Sequence, residues 1–268
     1  MISRSERLLS YGILLLFAAV ALYPVLLILR TALQPDQIGD SGGLHVGNFA
    51  EAWDEGHFGS YMRTSVVVAV LVVGLSTTLS VLAGYAFGTM RFRGSEAIFY
   101  MMLLGIMIPA EALVVALYFD LRSLGYTDTL IAIVMPQVAQ SVAFGTFWMR
   151  AYFRSSSREV VEAARLDGAS HWRTLWSVLV PMGRPAITTM VVLIFMWTWN
   201  EFLLALVMVS DEGLRTAPLG LAFFQGRNTT DFALLAAGAV IVATPVVLLY
   251  VFLQRHFIRG MLSGAIKG

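Results

Sequence analysis

The chain lacks cysteine altogether and has few charged side chains. The absence of cysteine excludes disulfide bonds, thiolate metal sites and cysteine nucleophiles. Only 13% of its 268 residues are charged, against about 25% in an average soluble domain, whereas 58% are hydrophobic. The net charge of +1 provides no bulk basicity to attract nucleic acid. This composition indicates an integral membrane protein.

The apolar residues are gathered in six long runs, and each predicts a membrane-spanning helix. The runs cover residues 10–33, 63–89, 96–118, 129–149, 187–210 and 231–254. The first run is too long for the apolar part of a signal peptide, so it is interpreted as a first membrane helix. The runs do not alternate polar and apolar residues as barrel strands do, and helices satisfy their own backbone hydrogen bonds in lipid. The predicted fold class is therefore an all-α membrane bundle.

The basic residues predict the orientation of this bundle. Thirteen of the 18 basic residues fall in four alternate connections, 1–10, 90–95, 150–186 and 255–268. These residues are Arg4, Arg7, Arg91, Arg93, Arg150, Arg154, Arg158, Arg165, Arg173, Arg184, Arg255, Arg259 and Lys267. The positive-inside rule places these connections, and hence both termini, in the cytoplasm.

Small residues and prolines predict how the spans pack. Ser80, Gly84 and Gly88 recur every four residues, which favours close approach of another helix. Pro109 and Pro136 lie inside the third and fourth spans and are expected to kink them.

The connection between the fourth and fifth spans predicts a helical hairpin. Ser156 and Glu159 are spaced as a capping box, Asp167-Gly168 forms a stop signal, and Ser170 can cap a second helix. Trp172, Leu175, Trp176 and Leu179 then follow at helical spacing, and Pro181 is expected to end the second helix. Periodicity alone favours an amphipathic hairpin that lies on the inner leaflet of the membrane, where tryptophans commonly sit.

Three groups of residues in this hairpin occur together: Glu162-Ala163-Ala164, Asp167-Gly168-Ala169, and the prolines Pro181 and Pro185. Their spacing resembles the EAA loop of ABC importer permeases. Two further segments, residues 199–202 in the fifth span and 260–268 at the end, look like the second permease of the maltose-type carbohydrate group. The resemblance implies a type I importer fold with a single permease domain over 1–268, a core over about 63–255, an EAA loop over 155–186 and a cytoplasmic tail over 256–268.

The resemblance also implies partners and coupling residues. A homologous second permease, two copies of an ATP-binding subunit, an extracytoplasmic solute-binding protein and a sugar substrate are expected. No cofactor is expected in this chain, since it has no phosphate-binding glycine loop, and ATP and Mg²⁺ would lie on the partner ATPase. The expected coupling residues are Glu162, Ala163, Ala164, Asp167, Gly168, Ala169 and Trp172.

The fifth span contains a candidate substrate path, formed by Trp197, Trp199, Asn200 and Glu201. An acid deep in a span costs at least about 2.5 kcal/mol, so Glu201 should face a cavity or a partner. Indole faces and amide groups suit a polyhydroxylated ring. Alternatively, Asn200 and Glu201 tie helices together and the tryptophans pack against lipid.

Two other functional classes are alternatives to an ABC permease. An ion-coupled secondary transporter would need inverted repeats and intramembrane acids, and only Glu111 and Glu201 could serve. A membrane-embedded enzyme would need converging catalytic groups. The four histidines, His45, His57, His171 and His256, are scattered over loops without metal-ligand spacing.

Overall fold

A computed structural model describes residues 4–35, 43–155, 158–227 and 231–265, with side chains omitted at 158–159, 225–227 and 255–265. These residues contain helices and no strand. The helices are α1 (Arg4–Ala32), α2 (Gly47–Glu55), α3 (Phe58–Thr89), α4 (Ser95–Met107), α5 (Ala110–Ser123), α6 (Leu130–Ser155), α7 (Arg158–Leu166), α8 (His171–Met182), α9 (Arg184–Trp199), α10 (Leu203–Met208), α11 (Ala217–Arg227) and α12 (Phe232–Ala265). The predicted capping box of Ser156 and Glu159 and the end of the predicted tail lie outside the described residues.

Four helices are long and apolar enough to cross a membrane, judged by length and composition over the described residues. They are α1, α3, α6 and the part of α12 from Phe232 to Gln254. Two bent pairs, α4 with α5 and α8 with α9, raise the number to six if each pair is one span. The upper number equals the six spans predicted from the sequence, but its fifth span runs from His171 to Trp199 and not over the predicted 187–210.

The third and fifth predicted spans are not single straight helices. The third is broken at Pro109, where α4 and α5 meet at 98°, so the expected kink is a full break. Its cause is the extended conformation of Ile108 (ψ 121°), since the residue before a proline is driven out of the helical region. The fifth breaks between Trp199 and Leu203, whereas α6 continues through Pro136.

The chain forms two compact units. The first comprises Met1–Gly59 and Gly220–Pro245. In it, Asn48 donates from Nδ2 to the carbonyl oxygens of Ala32 (3.0 Å) and Gln34 (2.8 Å), satisfying acceptors at the end of α1. The second comprises Ser60–Leu219 and Val246–Gly268, and its core contains apolar side chains of α3, α6, α8 and α9.

The predicted small-residue stripe is confirmed as a helix contact within the second unit. A Cβ atom at Gly84 would lie 2.5 Å from Met149 Cβ and 3.0 Å from the Arg150 nitrogen. A Cβ at Gly88 would lie 2.9 Å from Phe153 Cβ, and Ser80 packs directly on Gly145. Because α3 and α6 approach this closely, only glycine or another very small residue fits along the contact.

Arg150 extends this contact to α4. Its guanidinium forms an ion pair with Glu96 (Nη2 to Oε1, 2.6 Å) and lies 3.7 Å from the centre of the Phe99 ring. Its Nε also donates to the carbonyl oxygen of Phe87 at 3.3 Å. A buried arginine needs such partners, because an unpaired buried charge is strongly destabilising. Arg150 therefore joins the ends of α3, α4 and α6.

Gly84→Ala tests the α3–α6 contact. The added methyl group has no space, so the helices must separate, and we expect a loss of about 1–3 kcal/mol in stability. The measurement is the melting temperature of the protein purified in detergent. Gly74→Ala on the same helix is the control, since nothing lies within 4 Å of a Cβ there. This control should be neutral or stabilising by about 0.5–1 kcal/mol. Equal melting temperatures for the two variants would contradict the assignment.

Candidate functional site

The hairpin formed by α7, the turn 167–170 and α8 is closed by local hydrogen bonds. Gly168 adopts φ +75°, its N–H donates to the carbonyl oxygen of Arg165 (3.0 Å), and the Ala169 N–H donates to that of Ala164 (2.9 Å). These two bonds form a Schellman motif, which satisfies carbonyl groups left free at a helix end. The predicted glycine turn is therefore confirmed.

The second helix of the hairpin begins as predicted and ends later than predicted. Ser170 is its N-cap, since its Oγ accepts from the Arg173 N–H at 3.3 Å. Pro181 does not end α8, which continues to Met182. A π-helical turn, Leu175–Leu179, ends two residues before the proline, and its wider spacing accommodates a residue that has no N–H and clashes with the ordinary α-helical register.

The predicted stripe along α8 separates into buried and exposed members. Leu175 and Leu179 are fully buried in the core of the second unit, so they anchor the hairpin. Trp172 is 64% exposed and contacts Trp176 edge to face, with ring centres 5.6 Å apart. Leu166, at the end of α7, is 89% exposed. The tip of the hairpin thus presents large apolar side chains to its surroundings.

The remaining predicted coupling residues also lie on this hairpin. Glu162, Ala163 and Asp167 are exposed, Ala164 is buried, and Ala169 is partly buried. Glu162 lines a groove of about 820 Å³ between the hairpin and the ends of α3 and α4. The other lining residues are Phe87, Gly88, Thr89, Met90, Arg91, Phe92, Ser95, Glu96, Phe153, Arg154, Val161, Arg165 and His171.

His171 connects the hairpin to α3. Its Nδ1 lies 3.2 Å from the hydroxyl oxygen of Tyr85, which is buried and contacts the Phe153 ring edge to face at 5.8 Å. The first residue of α8 is therefore fixed to the same helix that packs against α6.

A second site is a pocket of about 280 Å³ in the second unit. It lies beside both broken spans, where α4 approaches Pro109 and α9 ends. Eight residues line this pocket: Ile106, Gln137, Gln140, Ser141, Phe144, Trp197, Thr198 and Glu201. Irregular backbone at membrane depth is tolerated where it lines a cavity, and this arrangement meets that condition.

Two of the four predicted path residues line the pocket. Trp197 is 51% exposed and is oriented by an edge-to-face contact with Phe144, with ring centres 4.7 Å apart. Glu201 Oε1 accepts a hydrogen bond from the Leu204 N–H at 2.6 Å and so caps α10. The carboxylate therefore both stabilises the helix break and borders the cavity.

The other two path residues do not line the pocket. Trp199 is buried, and its ring stacks on Phe195 with centres 5.5 Å apart. Asn200 donates from Nδ2 to the Met196 carbonyl oxygen at 2.7 Å, which closes the end of α9. Their surroundings therefore differ from those of Trp197 and Glu201.

Sequence reasoning missed the contribution of α6 to the pocket. Gln137, Gln140 and Ser141 occur at positions i, i+3 and i+4, so they form a short polar stripe within an apolar span. That spacing could have indicated a face directed away from lipid. Among the described residues, no group of three or more His, Cys, Asp or Glu is placed to hold a metal ion.

Residues 76–263 match the family described as binding-protein-dependent transport system inner membrane component. The chain is 36% identical over 224 residues to "Probable ABC transporter permease protein YurM" of Bacillus subtilis (strain 168), covering 84% of this chain and 74% of that protein. It is 32% identical over 213 residues to "Trehalose/maltose transport system permease protein MalG" of Thermococcus litoralis, covering 79% and 77%.

The fold is similar to that of a chain in the crystal structure of a bacterial ABC transporter involved in the import of the acidic polysaccharide alginate. The TM-score is 0.81 at 24% sequence identity, and the match covers 96% of this chain and 99% of that chain. This likeness confirms the predicted all-α membrane fold. The family match covers most of the sequence, and the chain belongs to the family of inner membrane components of binding-protein-dependent transport systems.

Proposed function

We propose that this protein is the permease subunit of an ATP-driven importer for a sugar or oligosaccharide. Its family membership supports the transport role, and the carbohydrate names of similar proteins support the substrate class. The observation that carries the coupling role is the hairpin, which is anchored by buried Leu175 and Leu179 and presents exposed Leu166 and Trp172. An ion-coupled mechanism has no comparable support.

The proposed complex contains this chain and three further kinds of component. A homologous second permease supplies the other half of the path, two copies of an ATP-binding subunit bind ATP and Mg²⁺, and an extracytoplasmic solute-binding protein delivers the sugar. ATP hydrolysis takes place on the ATP-binding subunits, so this chain is not itself an enzyme. The positive-inside distribution supports placing the hairpin and both termini in the cytoplasm of a bacterial or archaeal cell.

In this proposal the hairpin converts ATP binding into movement of the bundle. Glu162, Asp167 and the exposed Trp172 contact the ATPase, whereas Ala163, Ala164, Gly168 and Ala169 keep the hairpin narrow and tightly turned. A partner that binds one conformation of the bundle more tightly shifts the population toward that conformation. Since α6 continues from the pocket-lining residues to Ser155, just before the hairpin, it offers a rigid connection between the two sites.

Gly168→Val tests the coupling role of the hairpin. Valine strains the left-handed conformation at φ +75° by about 1–2 kcal/mol, so the turn should open. We expect co-purification of the ATP-binding subunit and sugar uptake to fall about tenfold, with unchanged insertion into the membrane. Gly125→Val is the control, because Gly125 has φ +72° and equally open surroundings but lies outside the hairpin. Normal uptake and association in Gly168→Val would refute the role.

Glu162→Lys tests the proposed contact between the Glu162 carboxylate and the ATP-binding subunit. Reversing an exposed interface charge should slow association with the ATPase and make that association less sensitive to salt. The measurement is the rate of subunit capture at low and high salt. Glu51→Lys, an exposed acid on α2, should leave capture unchanged. Identical behaviour of the two variants would rule out a contact through Glu162.

Trp197→Ala tests the pocket as part of the path. Removing the half-exposed indole should lower sugar uptake about tenfold, because an aromatic face for the sugar ring is lost. Association with the ATPase should stay normal. Phe147→Ala, an exposed aromatic on α6 that does not line the pocket, is the matched control. If both variants transport like the wild type, the pocket does not carry substrate.

A further inference from the structure

We infer that the pocket admits uncharged carbohydrate and rejects carbohydrate that bears carboxylate or phosphate groups. This inference rests on the proposed function and narrows its substrate class. It is carried by the lining chemistry, since the only charged group among the eight lining residues is the Glu201 carboxylate, and none of them is Arg, Lys or His.

The polar groups of the pocket match hydroxyl groups, which both donate and accept hydrogen bonds. Glu201 uses Oε1 to cap α10, and a carboxylate has lone pairs left on its second oxygen to accept from a sugar hydroxyl. Gln137 donates from Nε2 to the Ile133 carbonyl oxygen at 2.9 Å, so its Oε1 remains as an acceptor. Gln140, Ser141 and Thr198 add amide and hydroxyl groups.

The groups that line this pocket do not suit an anionic sugar. A carboxylate or phosphate group only accepts hydrogen bonds and needs a nearby cation or a dense set of donors. Here it would instead face a like charge inside a cavity, where water screens less than in bulk solution. Like-charge juxtaposition is a common means of rejecting a wrong ligand.

The aromatic side chains and the size of the pocket agree with a neutral ring. Trp197 offers a half-exposed indole held in place by Phe144, and such faces suit the C–H surface of a pyranose. The volume of about 280 Å³ lies near the lower end of ligand pockets, about 300 Å³, and leaves room for a sugar ring.

Glu201→Gln separates the charge of this residue from its structural role. A glutamine side chain keeps an acceptor oxygen for the Leu204 N–H, so the cap on α10 is retained while the negative charge is lost. Glu111→Gln is the matched control, because it removes the charge of another acid, at the start of α5, that does not line the pocket.

The experiment uses the complete importer in nanodiscs, without the solute-binding protein, and follows tryptophan fluorescence during titration. The probes are maltotetraose, tetragalacturonate and the fully methyl-esterified tetragalacturonate, which has the same skeleton without charge. Trp197→Phe identifies the part of the signal that comes from the pocket. In the wild type, we expect the neutral probes to bind about tenfold more tightly than tetragalacturonate.

The ratio of the affinity for neutral probes to the affinity for tetragalacturonate should fall about fivefold or more in Glu201→Gln. Glu111→Gln should keep the wild-type ratio. The inference is overturned by equal affinity for charged and neutral probes in the wild type, by a ratio that Glu201→Gln leaves unchanged, or by a lack of any Trp197-dependent response to the neutral probes. These outcomes concern the pocket alone, whereas the proposed function fails separately, if the wild-type chain does not co-purify with an ATP-binding subunit.

Discussion

The close contact between α3 and α6 is the constraint on which the second unit depends. Gly84 and Gly88 lie against Met149 and Phe153 with no space for a side chain, and Ser80 fills the gap at Gly145. Because such a contact tolerates few alternative positions, the part of α6 from Gly145 to Phe153 is held closely against α3. The helix that leads to the hairpin is thereby the same helix that lines the pocket with Gln137, Gln140 and Ser141.

The pocket exists because two spans are interrupted beside α6. Pro109 ends one helix sterically, whereas the break after Trp199 is stabilised by side chains, since Asn200 closes α9 and Glu201 caps α10. In lipid, an interruption of this kind must satisfy its free backbone groups. The carboxylate of Glu201 meets this need by accepting from the Leu204 N–H, and it also gives the cavity its charge. The stability of the helix break is therefore linked to the inferred selectivity for uncharged carbohydrate.

Some residues of the hairpin are buried and anchor it, and others are exposed at its tip. Leu175 and Leu179 bury the inner face of α8, and the Tyr85–His171 contact fixes its first residue to α3. Leu166 and Trp172 stay exposed. Exposed large apolar side chains are costly unless a partner or lipid covers them, so the geometry agrees with a docking role.

Features that depend on neighbouring residues could be predicted from the sequence: the apolar spans, the turn at Gly168, the cap at Ser170 and the spacing that identifies the hairpin. Hydrogen bonds within four or five residues and the hydropathy of a single run decide these features. The packing of the helices was needed to show that Trp197 borders a cavity while Trp199 is buried, and that α6 completes the pocket. The reason is that burial depends on which distant helices pack together, and local periodicity does not specify that choice.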